Sequence, residues 1–206
     1  NNQSDRSTAP QNTYDIKSEY GRSALDRNQI LTLDAIYELP FLKNQPGVVG
    51  RVLGGWVLSG IGSLNSGLPF TATLSNGIDP GGLGILGSSA AGPRPDQVAD
   101  PNSGDHTFLH WFNTAAFTAI PSGVVRPGNA HRGTINGPGF QRWDLAVFKN
   151  FKVTEGSTFQ FRAETTNTFN HTNFDSISTS ATSGLFGQVT AVRGPRIMDL
   201  GLKFNF

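Results

Sequence analysis

The stretch Arg196-Ile197-Met198-Asp199-Leu200-Gly201-Leu202-Lys203-Phe204-Asn205-Phe206 alternates between two kinds of side chain. Its even positions are Met, Leu, Leu, Phe and Phe, whereas its odd positions from 199 onward are Asp, Gly, Lys and Asn. Successive side chains of a β-strand point to opposite faces, so this pattern predicts a strand with one apolar and one polar face.

Two kinds of protein would use such a strand. In a transmembrane β-barrel the apolar side faces lipid, the polar side faces the lumen, and aromatic residues lie at the membrane interface. In a soluble β-sandwich the apolar side packs in the core between two sheets. A soluble edge strand that ended on an exposed Phe would be prone to aggregation, and this favours the barrel.

The composition excludes several other classes of protein. Charged residues make up only 15% of the 206 residues, and the net charge of +1 comes without basic clusters, so nucleic-acid binding is not expected. No apolar run approaches the ~18–20 residues of a transmembrane helix. The absence of cysteine excludes disulfides and thiolate metal sites. The sequence begins without a signal peptide, so we expect either a mature chain or a piece of a longer one.

Alternation recurs in further segments, which we predict to be long strands. One runs from Ile30 to Leu39, and a second begins near Gly55 and is expected to resume after an interruption at 66–69. A hairpin follows between residues 140 and 170, with its turn at Lys152–Ser157. The predicted apolar faces carry Leu31, Leu33, Ala35, Tyr37 and Leu39; Trp56, Leu58, Leu64, Phe70, Ala72 and Leu74; Trp143, Leu145, Val147 and Phe151; and Phe159, Phe161, Ala163 and Phe169.

The fold class predicted from these strands is all-β, an antiparallel meander that forms the C-terminal wall of a transmembrane β-barrel. About five strands cannot close a barrel, since the smallest transmembrane form has ~8, so the wall is expected to be incomplete on its own. We assign residues 1–206 to one barrel segment with extracellular loops at about 1–29, 76–138 and 171–195. Residues 40–54 and the hairpin turn would then be periplasmic, and Trp111–Phe117 is expected to pack within the long loop.

The register of the predicted hairpin follows from parity and charge. For the apolar residues of both strands to share a face, opposed residues must both be even or both be odd. We predict the register that sets Arg142 opposite Glu164 and Asp144 opposite Arg162, because opposite charges across strands are favourable. Two other registers satisfy parity. One opposes Asp144 to Glu164, and the other opposes Ala146 to Glu164 and Phe151 to Phe159.

Several segments carry a resemblance to a known family. They occur in order along nearly the whole chain: Glu19-Tyr20-Gly21, Asp26-Arg27-Asn28, Tyr37-Glu38-Leu39-Pro40-Phe41, Gly55-Trp56, Ser66-Gly67-Leu68-Pro69-Phe70, Trp111-Phe112-Asn113, Gly128-Asn129, Gly137-Pro138-Gly139-Phe140, Trp143-Asp144-Leu145, Phe148-Lys149-Asn150-Phe151, Phe161-Arg162-Ala163-Glu164, Phe169-Asn170-His171-Thr172-Asn173-Phe174 and Gly194-Pro195-Arg196. The sequence resembles the TonB-dependent outer-membrane receptors, particularly the Oar-like group with a carboxypeptidase-regulatory-like N-terminal domain.

The resemblance implies a plugged barrel of roughly 22 strands in the bacterial outer membrane that imports a scarce ligand. The implied partners are outer-membrane lipid, the barrel-assembly machinery, the remaining barrel and plug, and TonB through them. The plug, its energy-coupling box and most of the barrel are missing from this sequence, so the chain alone is not expected to transport. We expect no enzymatic activity and no cofactor.

The ending of the chain resembles the C-terminal assembly signal of bacterial outer-membrane barrels. That resemblance assigns the signal to Leu200, Leu202, Phe204 and Phe206.

Other candidate sites are weaker. Five possible metal ligands lie in the long loop: Asp96, Asp100, Asp105, His106 and His110. Their spacing matches no known metal-binding loop, so we interpret them as solvated side chains and predict no metal site. Likewise Arg142, Asp144, Arg162 and Glu164 are interpreted as a structural charge ladder that faces water. The residues that bind the imported ligand are unknown from the sequence.

Two alternative functions remain open at this point. One is a secreted β-sandwich that acts as a binding or adhesion module, which would have two packed sheets. The other is a metal-dependent hydrolase built on the Asp/His cluster of the long loop. No Gly-x-Ser-x-Gly nucleophile elbow is present to suggest serine chemistry.

Overall fold

The structure is a computed structural model, and it describes residues 10–12, 14–74, 79–82, 93–154 and 156–206. In chain order its strands are β1 (Ile30–Glu38), β2 (Trp56–Asn65), β3 (Pro69–Phe70), β4 (Asp96–Gln97), β5 (Phe117–Thr118), β6 (Ile135–Asn136), β7 (Phe140–Lys152), β8 (Thr158–Thr166), β9 (Phe174–Ile177), β10 (Val189–Val192) and β11 (Ile197–Asn205). The helices are α1 (Gly47–Leu53) and three 3₁₀ turns at Ile16–Glu19, Pro101–Ser103 and Thr114–Ala116. Within the described ranges, no helix has the length and apolarity needed to cross a membrane.

The chain divides into two compact units. The first, which we call the sheet unit, comprises residues 29–65, 140–173 and 194–206. The second, which we call the loop unit, has its described residues within 10–28, 66–139 and 174–193.

One antiparallel sheet forms the sheet unit. Its strand order is β1-β2-β7-β8-β11, and each strand is antiparallel to its neighbours. The long strands therefore follow one another in chain order, as predicted for a meander. A β-sandwich would instead need two packed sheets with crossing connections, and the described part of the sheet unit contains a single sheet.

The predicted apolar faces coincide on one side of the sheet. Leu33 opposes Gly62, which in turn opposes Trp143. On the same face, the series continues from β7 to β8 and β11: Val147 opposes Ala163, which opposes Leu200. Because directly opposed residues of neighbouring strands share a face, the alternation of all five strands is in phase. This confirms the assignment of faces made from the sequence.

The predicted continuation of β2 is wrong. The strand ends at Asn65, and Phe70 instead pairs with Ile135 between β3 and β6 in the loop unit. The chain leaves β2 through Gly67, where a side chain would lie 1.8 Å from the carbonyl oxygen of Gly137. Ala72 and Leu74, which were expected to face lipid, are buried in the loop unit. Their periodicity reflects a local core rather than a membrane strand.

The predicted extension of β8 to Phe169 is also wrong. The strand ends at Thr166 because Asn167 adopts a left-handed backbone conformation with φ of 52°. The side chain of Asn167 then closes the turn, accepting from the backbone N–H of His171 and donating to its carbonyl, both at 3.0 Å. Phe169 lies outside the sheet ladder, with its ring edge-on to Trp143 at 6.4 Å.

The hairpin adopts a different register from the predicted one. Arg162 opposes Phe148 and Glu164 opposes Ala146, so neither predicted pair of opposite charges faces across the strands. The backbone N–H groups of Val153 and Thr154 donate to the Ser157 carbonyl at 3.0 and 3.2 Å. This turn brings Lys152 opposite Thr158 and thereby fixes the register.

The connection between β1 and β2, predicted as a turn region, contains the helix α1. Gln45 precedes it with φ of 53°, and its side-chain amide reaches the end of β7. There the amide donates to the Asn150 carbonyl at 2.6 Å and accepts from the Lys152 N–H at 3.1 Å. One glutamine therefore satisfies two backbone groups at the end of β7 and fixes the start of α1 beside it.

The loop unit has its own aromatic core. Phe112, Phe117 and Phe186 meet edge-to-face, with ring centroids 5.1 to 6.1 Å apart. The residues buried around them are Ala72, Ala116, Ala130, Ile135, Ile177 and Val189. The predicted packing of Trp111–Phe117 within the long loop is confirmed, and Asn113 starts its 3₁₀ turn by accepting from the Ala115 N–H at 3.1 Å.

Candidate membrane-inserting surface

The apolar face of the sheet is the candidate surface for contact with the membrane. All four residues predicted as an assembly signal are exposed: Leu200, Leu202 and Phe204 lie on this face of β11, and Phe206 follows the end of the strand. Leu200 is 72% exposed and Phe206 is 98% exposed, with its ring stacked on Phe204 at 5.9 Å. Monomeric soluble proteins rarely leave so many neighbouring apolar side chains in water. The assembly role itself stays a prediction.

Aromatic residues collect at one end of this face. The registers bring Trp56, Phe151, Phe159 and Phe204 to the end of the sheet that carries the hairpin turn, and Tyr37 lies at the same end of β1. The rings of Phe151 and Phe159 face each other across the strands at 6.3 Å. A band of aromatic residues at the edge of an apolar surface is the arrangement that marks the membrane interface of a barrel.

A lysine lies within this aromatic band. Lys149 belongs to the apolar face by parity, yet its side chain is only 2% exposed. Its ammonium donates to the Gly54 carbonyl and lies 5.2 Å from the Trp56 ring and 5.1 Å from the Phe151 ring. Aromatic faces attract cations, so the two rings and the carbonyl satisfy the charge beside lipid. This role was not predicted from the sequence, although Gly55-Trp56 and Lys149 both belong to segments that carry the family resemblance.

Glycines make room for large side chains on the same face. A side chain at Gly62 would lie 2.5 Å from the Trp143 ring, and one at Gly60 would lie 2.8 Å from Leu145. Trp143 and Leu145 therefore lie across the backbone of β2. Large residues that cover glycines on a neighbouring strand shield the backbone and help to hold the register.

The opposite face of the sheet is mostly polar and carries two ion pairs within its strands. Arg142 and Asp144 form an ion pair at 2.9 Å, and Arg162 contacts Glu164. Further along, Gln160 donates to the Asn150 side chain at 2.8 Å. Both ion pairs join residues two apart on one strand, which share a face. This arrangement supports the interpretation of these residues as a structural charge ladder.

Three of the five metal-ligand candidates of the long loop, Asp96, Asp100 and His106, make structural contacts within the loop unit. Asp96 accepts from Arg126 at 2.5 and 2.7 Å and from the Asn129 N–H at 3.0 Å. Asp100 accepts from the Asn102 N–H, which starts a 3₁₀ turn, and His106 packs on Trp111 at 5.3 Å. In the described ranges, no three His, Cys, Asp or Glu side chains form a group that could hold a metal ion.

A buried ion cluster in the loop unit was not predicted from the sequence. Glu19 accepts from Arg94 at 2.8 and 3.0 Å and from Arg132 at 2.5 Å, and Arg94 is only 2% exposed. Burial raises the pKa of Glu19, but the hydrogen bonds from Arg94 and Arg132 outweigh it and bring this pKa to about 2. Through its two carboxylate oxygens, Glu19 thus connects the segment around residue 19 to the distant segments that contain Arg94 and Arg132.

Two glycines of the quoted motifs are required by close backbone contacts in the same unit. A side chain at Gly21 would lie 2.3 Å from the Arg132 carbonyl oxygen, and one at Gly128 would lie 2.0 Å from that of Arg94. Asn129, which follows Gly128, accepts from the Gln97 N–H at 2.7 Å. The segments that carry the family resemblance therefore supply much of the internal framework of the loop unit.

An antiparallel meander with one exposed apolar face, an aromatic band and one polar face defines a wall of a membrane β-barrel. The family model described as "Outer membrane beta barrel domain" matches residues 1–199, and the chain belongs to that family. It is a protein of the bacterial outer membrane, and its five long strands are an incomplete barrel. No curated protein and no solved structure matches the chain.

Proposed function

We propose that the chain is the C-terminal barrel portion of a TonB-dependent outer-membrane transporter that takes up a scarce ligand. The observation that carries this proposal is the position of the motif residues. Gly21, Gly128 and Lys149, all within segments that resemble TonB-dependent receptors, each fill a position with a specific steric or electrostatic requirement. If the resemblance were due to chance, its segments would not be expected to include residues with such specific structural requirements.

In this proposal the sheet has a mechanical role. Its apolar face contacts outer-membrane lipid, and its polar face, with the pairs Arg142–Asp144 and Arg162–Glu164, lines the interior beside a plug domain. In this topology the predicted loops at about 1–29, 76–138 and 171–195 are extracellular, and the turns at 40–54 and 152–157 are periplasmic. In this proposal the chain has no catalytic role, and energy reaches the transporter through TonB.

The test begins with the reading frame that encodes the chain. We expect an upstream plug domain with a TonB-binding segment and further barrel strands. The complete protein should be retained on an immobilised periplasmic domain of TonB, and deletion of the TonB-binding segment should abolish retention without changing outer-membrane levels. A complete protein that lacks a plug, or that fails to bind TonB while correctly inserted, would contradict the proposal.

A further inference from the structure

We propose that the connection between β1 and β2 inserts into the membrane instead of lying in water. The apolar side of α1 and a recess beside it contact the acyl chains of the leaflet at the end of the sheet that carries the hairpin turn. This proposal uses the membership of the chain in the outer-membrane barrel family and does not depend on TonB or on the imported ligand. The connection is then part of the lipid-contacting surface at that end of the sheet.

The sequence of α1 separates its apolar side chains from the rest of the helix surface. With about 100° between successive residues, its three valines and Leu53 fall within one arc of about 140°, whereas Gly50 and Arg51 lie outside that arc. The side chains of the arc are each more than half exposed: Val48, Val49, Val52 and Leu53. Gly50 is buried, and a side chain there would lie 2.5 Å from Pro46. The helix therefore packs on the protein through its glycine and leaves its apolar arc exposed.

The apolar arc of α1 is continuous with the apolar face of the sheet. Leu53 lies at a recess of about 560 Å³ that is lined entirely by apolar side chains: Leu39, Phe41, Leu42, Leu53, Trp56 and Leu58. Trp56 and Leu58 belong to the apolar face of β2, and the Trp56 indole N–H donates to the Val52 carbonyl at 3.0 Å. The recess and the arc thus extend the surface that contacts the membrane, and this continuity selects acyl chains as their occupant.

The charged residues of the connection lie on the other side, away from the apolar face. Residues 41–55 contain two charged residues, Lys43 and Arg51. Lys43 lies 3.9 Å from Glu38, which belongs to the polar face of β1 by its register. Arg51 lines a polar cavity together with Lys152, which belongs to the polar face of β7. An amphipathic helix with charge on one side and apolar residues on the other lies in the plane of a membrane interface.

Polar contacts hold α1 in this position from both ends. A helix of 7 residues is too short to be stable alone, since isolated helices need ~12–15 residues. Gln45 fixes the beginning of α1 through its two bonds to β7. At the other end the ammonium of Lys149 donates to the Gly54 carbonyl, where a cation is also favoured by the helix dipole. These bonds position α1 without using its apolar arc, which therefore stays available to lipid.

The proposal is tested by fluorescence quenching of the complete protein, freed of any other cysteine, in phosphatidylcholine bilayers. A fluorophore is attached to Val49→Cys on the apolar arc or to Arg51→Cys on the other side of the same helix. Lipids brominated near the headgroup end of their acyl chains should quench the fluorophore about threefold more at 49 than at 51, and iodide in the water should quench it more at 51. Equal quenching by iodide at both positions would overturn the proposal. Protection of position 49 from both quenchers would mean that protein covers the arc and would also overturn it.

Substitutions test the same surface without a label. Val49→Asn together with Val52→Asn should lower the equilibrium constant for folding in bilayers about tenfold, because both amides would enter hydrocarbon. Valine and asparagine have similar helix propensities, so the change reports the surroundings of α1. The matched control is Val98→Asn with Val125→Asn in the loop unit. These valines are 63% and 77% exposed, against 65% and 57% for the pair on α1, and the control should change the constant less than about threefold. A loss on α1 no larger than that of the control would contradict the proposal.

Discussion

Ala146 lies directly opposite Glu164 in the β7–β8 hairpin. The charges that were expected to pair across these strands pair along them instead, Arg142 with Asp144 and Arg162 with Glu164. Residues two apart on a strand share a face, and an arginine side chain is long enough to reach its neighbour. Each of these four charges therefore has its partner on its own strand, so the two pairs have little influence on the register.

A double-mutant cycle checks this pairing. Replacing Arg162 and Glu164 singly and together should give a coupling free energy of roughly 0.2–1 kcal/mol, because the pair is partly exposed. The same cycle on Arg162 and Asp144 should give no measurable coupling. Stability of the complete protein in lipid bilayers provides the measurement, and stronger coupling between Arg162 and Asp144 than within β8 would contradict the register.

The two faces of the sheet could be predicted from the sequence because side-chain alternation is local. Trp143, Leu145 and Val147 fix the orientation of β7 without any information about its neighbours. The ends of the strands were less predictable. Ala72 and Leu74 continue the alternation of β2, yet they are buried in a different unit, and only the folded chain shows which core they join.

The long-range hydrogen bonds that hold the candidate sites together could not be predicted from the sequence for a related reason. Gln45 bonds Asn150, which is 105 positions away, and Glu19 bonds Arg94, which is 75 positions away. Such pairs leave no local period, so polar segments without alternation were assigned to loops. The resemblance to a known family marked Glu19 and Lys149 as notable residues, but it gave no partner for either.

Gly62 should be sensitive to substitution because the Trp143 ring covers it. Gly62→Ala would place a methyl group 2.5 Å from that ring, and we expect a loss of about 1–3 kcal/mol in the free energy of unfolding. Gly201→Ala is the matched control, since its nearest side-chain atom is 3.8 Å away in Arg162. The control should be neutral or slightly stabilising. Urea unfolding in lipid vesicles checks both, and equal effects would contradict the packing.

The buried Glu19 cluster predicts acid sensitivity of the loop unit. The folded pKa of Glu19 is about 2, below its ordinary value of 4.5, so its carboxylate stabilises the folded state above pH 4.5. That stabilisation, at most about 3 kcal/mol, should be lost as the pH falls from 4.5 towards 2. Pepsin cleavage near Phe112 and Phe117 should therefore accelerate steeply across this range.

Two variants complete that measurement. Glu19→Gln should be cleaved faster already at pH 4.5, because Arg94 then stays buried without a counter-ion, and it should lose the part of the pH dependence that comes from Glu19. Asp26→Asn removes a partly exposed pair with Arg22 and should change stability by less than ~1 kcal/mol. A wild-type protein that resists pepsin equally from pH 4.5 to 2 would refute the role of the cluster.

Phe206 is predicted to act in assembly rather than in ligand recognition. It is almost completely exposed beyond the end of β11, where it stacks on Phe204. Deletion of Phe206 from the complete protein should lower its outer-membrane level severalfold while leaving the ligand affinity of the inserted fraction unchanged. Quantitative immunoblotting of membrane fractions measures this level, with Asn205→Ala as the control. Normal outer-membrane levels after the deletion would contradict the prediction that Phe206 is part of an assembly signal.

The orientation of the sheet in the membrane is most directly measured at two adjacent residues of β7, Leu145 and Ala146. The chain has no cysteine, so a spin label can be attached at either position through a single substitution. In bilayers, collision with oxygen should dominate at 145 and collision with a water-soluble nickel chelate at 146, because the two side chains point to opposite faces. Equal accessibility of both positions to either reagent would contradict the account of this sheet as a barrel wall.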